Sequence, residues 1–430
     1  MRVLSPRLPP VSIEEVVNSL RVAVPGLPRP VWILNLGFAV NSVGNGLIVP
    51  FLLIYLHNVR GFSLGAAGLV PTVHFVVALV CGIAAGALFD RLGGRVTAAV
   101  ALVLLAVGFG LFPLVREVWQ ALLLAAIAGA GRGAFWPSYS GLLAAVTPPE
   151  LRPSAYAVQR VGGNLGLAIG SLAAGLLVTV SDPRTFTWIF LLNAMTCLVF
   201  AAALAFVPAV RPVVGERASG RYRAVLRDRT FVALIAVNFA FVTAGVALLN
   251  SVLPLFAQND VGVGERVIGL VFVVNTITIV IAQFPVTRLL EGRRRMQALA
   301  VMGGIWAFSW VLALAAGGTT RMWLAAGLLL VAAAVFALGE CIHGVVQGPL
   351  VADLAPEELR GRYMASWLTT AQLGFALGPA IGALALATSP ALLWLGAACV
   401  CALCTVASLA IEEGLPAVLR RSPAAGTATT

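Results

Sequence analysis

Charge is scarce in this sequence. Asp, Glu, Lys and Arg together make up 10% of its 430 residues, where a soluble chain of ordinary composition carries about a quarter. Lysine is absent altogether, so all 28 basic residues are arginine. Without lysine there is no Gly-Lys-Ser/Thr phosphate loop, and no H-E-x-x-H zinc helix is present either, which removes the commonest nucleotide-driven and zinc-hydrolase chemistries. The six cysteines (Cys81, Cys197, Cys341, Cys399, Cys401 and Cys404) all fall in apolar stretches, so no disulfide framework is expected. The Cys401–Cys404 spacing has no basic neighbours and reads as small core residues. No metal, no cofactor and no enzymatic activity are expected.

Apolar residues are what the chain has in abundance: 60% of it is hydrophobic and the mean hydropathy is +0.98. They come in blocks of about 20 residues, the length that spans a hydrocarbon core as a helix. The expected spans are 31–56, 66–88, 96–115, 119–146, 155–180 and 185–207, then 230–257, 266–290, 297–316, 321–352, 363–388 and 390–411. Strand-type alternation is absent, which argues against a lipid-facing barrel. The fold class is therefore an all-α membrane protein with twelve transmembrane helices. Residues 1–30 form an N-terminal segment, 31–207 and 230–411 two six-helix bundles, 208–229 a linker and 412–430 a tail. Prolines interrupt residues 1–30, so no cleavable signal peptide is expected there. Ser12 to Glu15 has capping-box spacing, with Ile13, Val16, Val17 and Leu20 as an apolar stripe; a surface helix and a disordered tail are both open.

The net charge of +11 invites a nucleic-acid reading, but the arginines sort by loop. On the expected spans, 21 lie on the face that holds the termini. Five (Arg60, Arg116, Arg184, Arg266 and Arg321) lie opposite, and Arg132 and Arg160 lie inside helices. Positive charge resists translocation, so the arginine-rich face is expected to be cytoplasmic, in a cell (inner) membrane, with no nucleic acid as partner. The linker arginines (Arg211, Arg217, Arg221, Arg223, Arg227 and Arg229) read as part of this signal, with anionic lipid as an alternative contact.

The two bundles repeat each other. Thr147-Pro-Pro-Glu-Leu-Arg152 matches Ala355-Pro-Glu-Glu-Leu-Arg360 at an offset of 208 residues, and the same offset carries Asn164-Leu-Gly-Leu-Ala-Ile-Gly170 onto Gln372-Leu-Gly-Phe-Ala-Leu-Gly378. Pro50 and Pro254 fall late in the first helix of each half. Parallel repeats related by an axis along the membrane normal place a substrate site at their interface.

Between the second and third spans lies Gly86-Ala-Leu-Phe-Asp90-Arg91-Leu-Gly93-Gly94-Arg95. This resembles the signature loop of the major facilitator superfamily, G-x-x-x-D-[R/K]-x-G-R-[R/K], with Gly94 in place of one basic residue. Gly86 permits close helix approach, Gly93 a tight turn, and Asp90 can cap a helix N-terminus. The resemblance implies that Asp90, with Arg91 and Arg95, latches the outward-facing state against helix 11. Glu291-Gly-Arg-Arg-Arg295 is a weaker copy. A second resemblance is to the glycine-rich helix 5 motif of the family's twelve-helix drug:proton antiporters. Here it is Gly166, Gly170, Ser171, Ala174 and Gly175, with Ser171 replacing the motif's proline; helix 11 keeps that proline as Gly378-Pro379.

Ionisable groups inside a membrane are costly unless paired or wetted, which makes them site candidates. Glu340 is the one acid well inside a helix, Arg132 lies in helix 4, and the two stand 208 residues apart. They are expected at pseudo-symmetric positions facing a cavity that the family lines with helices 1, 4, 7 and 10, as an ion pair in one state. His343 and Gln347 share the Glu340 helix face, while Trp136 and Tyr139 share that of Arg132. Asn41 and Asn45 on helix 1, with Asn35, and Asn238 and Asn250 on helix 7 add amides for substrate or helix bridging. His74 reads as packing or cavity lining, and Arg160 as snorkelling to headgroups.

The expected function is secondary active transport of a small molecule by alternating access. Proton-coupled efflux of apolar or cationic compounds is the leading form, with protons as co-substrate at Glu340, the bilayer as solvent and a monomer as the unit. The alternatives are uptake or facilitated diffusion of a small organic anion held by Arg132, and a transport-inactive membrane sensor or scaffold.

Overall fold

The computed structural model describes residues 26–209 and 222–422, without the side chains of 83–90, 222 and 223. The Ser12–Glu15 segment, most of the linker and the surroundings of Gly86 and Asp90 lie outside the described residues. Inside a bilayer every backbone N–H and C=O must be satisfied within its own segment, and the chain meets this with helices. Twelve among the described residues are long and apolar enough to span. They are α1 (Arg29–Val59), α2 (Leu64–Leu92), α3 (Gly94–Leu114), α4 (Val118–Val146), α5 (Pro149–Leu177) and α6 (Pro183–Phe206), then α7 (Arg229–Val261), α8 (Glu265–Leu290), α9 (Arg295–Gly317), α10 (Met322–Leu354), α11 (Glu357–Thr388) and α12 (Pro390–Gly414).

The largest departures from the expected spans are at α5 and α11, which start at Pro149 and Glu357 rather than at 155 and 363. Each opens with one tight turn, Pro149–Leu151 or Glu357–Leu359. The carboxylates there are favoured by the positive end of the helix dipole, and their polarity hides the turn from a hydropathy reading. Gly93 takes φ +80° between α2 and α3, so the tight turn expected there is present. Gly61-Phe-Ser63-Leu-Gly65 has the spacing of a serine-hydrolase elbow. Here Ser63 instead precedes α2, its Oγ accepting from the Ala66 N–H at 3.3 Å, and no strand leads into it.

Helix packing obeys the internal repeat. In the first half α1 packs on α5 and α6, α2 on α4, and α3 on α4 and α6; in the second, α7 packs on α11 and α12, α8 on α10, and α9 on α10 and α12. The halves meet where α5 lies on α8 and α2 on α11, so a pseudo-two-fold relates the interfaces too. The sequence correspondences reappear as contacts. A Cβ on Gly170 would run into the Val43 carbonyl of α1, and one on Gly378 into Ala247 of α7; Val43 and Ala247 are themselves 204 residues apart. Gly166 abuts Ala39 and Ser42 of α1 in the same way. Small residues let backbones touch, which is how helices associate in lipid. Ser171, in place of the motif's proline, donates to the Leu167 carbonyl at 2.8 Å and to the Gly46 carbonyl of α1 at 3.2 Å. Gly175 serves the junction between halves, lying against Gly269 of α8.

The chain alternates direction, so the α1–α2 and α7–α8 turns share one face (the distal face) while the start of α1, the end of α12 and the α2–α3 and α8–α9 turns share the other (the terminal face). On the terminal face residues 412–422 fold back onto the α8–α9 turn. Arg421 bridges to Arg294, the Arg295 N–H donates to the Arg420 carbonyl at 2.8 Å, and Arg294 lies 3.5 Å from the Glu412 carboxylate. Arg295 also pairs with Asp353 at 2.7 Å.

Gly170→Ala is expected to destabilise the protein by at least about 1–3 kcal/mol, the usual cost of overpacking. Gly344→Ala is the control, since a Cβ there meets nothing within 4 Å. Thermal unfolding in detergent checks this; equal midpoints for the two variants would refute the α1–α5 contact.

Candidate transport cavity

Between the halves lies a cavity of about 940 Å³, the size that takes a drug-like molecule. Its floor is the distal face, where the halves touch. The tips of α1 and α7 each end in a wide π-helical turn, Tyr55–Val59 and Ala257–Val261. From these turns Asn58 and Asn259 exchange amide hydrogen bonds at 2.6 and 3.0 Å. Nearby the Val180 N–H donates to the Glu265 carboxylate at 3.0 Å. Deeper in the membrane Thr72 of α2 donates to the Ala376 carbonyl of α11, and Phe75 stacks on Phe375 at 5.4 Å between centroids. The lining runs from these contacts to Pro153, Tyr156 and Arg160 at the start of α5, which are exposed. The cavity is therefore closed at the distal face and open at the terminal face.

The wall comes from α1 to α5, with α7 and α11 closing the far side; no described residue of α10 lines it. This corrects the expectation that α10 contributes to it. Arg132, Trp136, Asn41, Asn45 and Asn250 are in the lining, as expected, and His74 and Arg160 join them. Arg160, expected at the headgroups, faces the cavity instead. Tyr139 does not line it: its ring stacks on Phe38 at 5.1 Å and its hydroxyl donates to Asn35 at 3.1 Å. Asn35 in turn donates to the Ala155 carbonyl, so this trio ties α1, α4 and α5 together.

The expected Arg132–Glu340 ion pair is not formed. Glu340 accepts a 2.6 Å hydrogen bond from Asn275 of α8, while the Arg132 guanidinium lies 4.9 Å from the centre of the Phe75 ring of α2, a cation–π contact. The repeat explains both placements. Gly68 and Gly269 are equivalent positions of α2 and α8, 201 residues apart, and both sit in the junctions between halves. The same offset makes His74 the counterpart of Asn275. Each helix 4-type residue thus faces the helix 2-type partner of its own half rather than its equivalent across the axis. His343 and Gln347 are likewise drawn into the second half. His343 lies 3.3 Å from Asn238, which donates to Thr370, and Gln347 accepts from the Trp367 indole at 3.1 Å. This network joins α7, α10 and α11 much as Asn35 and Tyr139 join α1, α4 and α5.

Electrostatically the cavity is one-sided. Arg132 and Arg160 are both in the lining and, among the described residues, no Asp or Glu is. Neither arginine is ion-paired with any described carboxylate, and the Arg132 Nε is buried without a hydrogen-bond partner. Around them stand Phe38, Phe109, Phe135, Trp136 and Phe375, with Asn164 and Gln159. Sequence reading missed Phe75, Phe375, Asn164 and Asn275; a search for the 201-residue offset between α2 and α8 would have found Asn275.

Comparison with known proteins was informative at the level of family. Residues 34–248 and 235–428 each match the family model described as the Major Facilitator Superfamily. The sequence is similar to an uncharacterized MFS-type transporter, YttB, of Bacillus subtilis (strain 168), 27% identical over 83% of this chain and 88% of the relative. It is also similar to the multidrug resistance protein MdtH of Cronobacter sakazakii (strain ATCC BAA-894), at 25% identity over 79% and 81% of the two chains. In structure it is similar to the nucleoside transporter NupG, with a TM-score of 0.70 and 13% identity over 90% of this chain and 100% of that one; at that identity the likeness is one of fold.

The direction of opening is testable with Asn45→Cys, a position in the lining. A membrane-impermeant maleimide supplied from the terminal face is expected to label it above the background of the native cysteines. Labelling from the distal face alone would contradict the described closure.

Proposed function

The chain belongs to the Major Facilitator Superfamily, and from that premise we propose that it moves small amphipathic organic anions across a membrane by alternating access. The observation that carries this reading is the cavity wall, which holds Arg132 and Arg160 and, among the described residues, no carboxylate. Removal of a charge from water is expensive unless an opposite charge receives it. A carboxylate or phosphate group therefore gains against Arg132 what a cation would lose. The aromatic lining offers area to an apolar body. Cationic compounds, part of the leading sequence expectation, are disfavoured by the same charges.

Opening to the terminal face makes the described conformation inward-facing if that face is cytoplasmic, as its arginines argue. The switch outward requires breaking the Asn58–Asn259 exchange and the Glu265 contact while closing the other end. Asp90, by resemblance to the signature loop, is the latch for that second state. Such a switch moves substrate only if substrate contacts differ between the two states.

Proton-coupled efflux, with Glu340 as the titrating group, is the second reading. It draws on one observation, a carboxyl group in mid-helix with an amide partner and no described cation in ion-pair range. The name of the MdtH relative supports export in a general way. Under this reading Glu340→Gln abolishes proton counterflow from proteoliposomes.

Binding separates the readings. For wild-type protein in detergent, an aromatic carboxylate such as 1-naphthoate is expected to quench cavity tryptophan fluorescence and to be taken up by proteoliposomes. Arg132→Ala is expected to weaken binding about 10- to 100-fold, the loss of a charge-assisted hydrogen bond of about 1.5–3 kcal/mol. Glu340→Gln is expected to leave binding unchanged. Preference for an aromatic quaternary ammonium ion, indifferent to Arg132, would overturn the anion reading, and absence of any transported compound would favour the sensor.

A further inference from the structure

A substrate biases the motion of two halves only through contacts that differ between the states, and a rocking motion changes the contacts of a ligand held by both halves. The halves furnish the cavity unequally. Most of the lining, Arg132 and Arg160 included, belongs to the first half. The second half contributes Ala247, Asn250 and Ser251 of α7 with Phe375 and Pro379 of α11. Among the described residues, Asn250 and Ser251 are therefore the polar side chains through which a ligand reaches the second half.

Their own hydrogen bonds fix what these two residues offer. Asn250 Nδ2 donates to the Val246 carbonyl, one turn earlier in α7, at 2.8 Å. A backbone carbonyl only accepts, so this bond identifies the amide nitrogen and leaves Oδ1 as the other atom. Ser251 donates its single hydroxyl hydrogen to the Ala247 carbonyl at 2.6 Å, so its Oγ can only accept. Neither oxygen accepts from a described residue, and neither is shut off from the cavity that both residues line. The duplication does not repeat this feature. At the 204-residue offset α1 carries Gly46 and Leu47, and Gly46 is closed off against the Leu167 carbonyl of α5.

We propose that Asn250 and Ser251 form a second subsite that accepts a hydrogen bond from the substrate, so that the transported anion carries a hydroxyl or N–H group opposite its acid group. This deepens the anion reading above and rests on it. The packing of α7 sets the span between the two subsites. Arg132 lies over Phe75, which stacks on Phe375 of α11. Gly374 packs on Val242 of α7 and Gly382 on Leu248 and Val252, so Phe375 is level with Val242. Asn250 stands eight residues beyond Val242 toward the distal floor, about 12 Å of helix rise. Its side chain inclines back toward the helix start, which brings the span to on the order of 10 Å. An aromatic acid with a hydroxyl at its far end has that length, and its body meets the aromatic wall. A second anionic group at the α7 end would exchange water for oxygen acceptors with no cation beside them, and is disfavoured. The hydroxylated anion ties α4 of one half to α7 of the other.

Three ligands of one shape test this on the full-length protein in detergent, by isothermal titration calorimetry. They are biphenyl-4-carboxylate, its 4′-hydroxyl derivative and biphenyl-4,4′-dicarboxylate. The hydroxyl is expected to tighten binding to wild-type protein about 3- to 10-fold over the parent, the worth of one neutral hydrogen bond. The second carboxylate is expected to weaken it. The double variant Asn250→Leu, Ser251→Ala is expected to erase the hydroxyl preference. That preference compares two ligands on the same protein, so a general loosening of the cavity cancels from it. Equal affinities of wild-type protein for parent and hydroxylated ligand would overturn the inference and leave the anion reading standing, and this comparison depends on no variant. A dicarboxylate bound more tightly than the parent, or a hydroxyl preference that survives the double variant, would overturn it too. Failure of wild-type protein to bind any of the three, or naphthoate, would instead remove the anion reading itself, and the inference with it.

Discussion

The constraint behind every feature of this molecule is that hydrocarbon offers no hydrogen bonds. Backbone groups are satisfied within helices, and helices then associate through close contact between small residues rather than through a hydrophobic effect. Gly166 and Gly170 of α5 against α1, like Gly378 of α11 against α7, bring pairs of helices to backbone contact. Staples centred on Asn35 and Asn238 reinforce the same units. Each half is thereby made stiff. The junctions between halves use small residues too, at Gly175 against Gly269 and at Gly68 against Ala380. At the distal end they add polar contacts, such as the Asn58–Asn259 exchange, which water can replace at modest cost.

The scaffold is duplicated, and divergence within it marks the site. Equivalent positions on α2 and α8, and on α4 and α10, carry His74 with Arg132 in one half and Asn275 with Glu340 in the other. The second pair is complete in itself. In the first, His74 and Arg132 both line the cavity, and no described Asp or Glu does. In our reading that imbalance is what a substrate fills, and the Asn275–Glu340 contact is the same architecture turned to structure.

Much of the fold was legible in the sequence because lipid acts on composition. Long apolar blocks read directly as spans, and the 208-residue offset predicted that Gly170 and Gly378 occupy like places. The boundaries at Pro149 and Glu357 were hidden because hydropathy cannot see a polar first turn that a helix dipole stabilises. The site was only partly legible. Arg132, Trp136, Asn41 and Asn45 were found because polar residues in apolar spans stand out. Glu340, His343 and Gln347 stood out equally, yet a helix face shared in sequence does not say which neighbour it meets. In the folded chain Asn275 of α8, Asn238 of α7 and Trp367 of α11 claim those side chains. Phe75 and Phe375 gave no signal, since an aromatic residue in a membrane helix looks the same facing lipid, core or cavity.

The most direct measurement is a structure of the protein bound to a brominated naphthoate, in which the bromine locates the ligand and the density its acid group. The predicted result has the bromine against the Trp136 and Phe375 side of the cavity, with the carboxyl group at Arg132. A ligand bound instead beside Glu340 and Asn275, or with its carboxyl group turned away from Arg132, would contradict it.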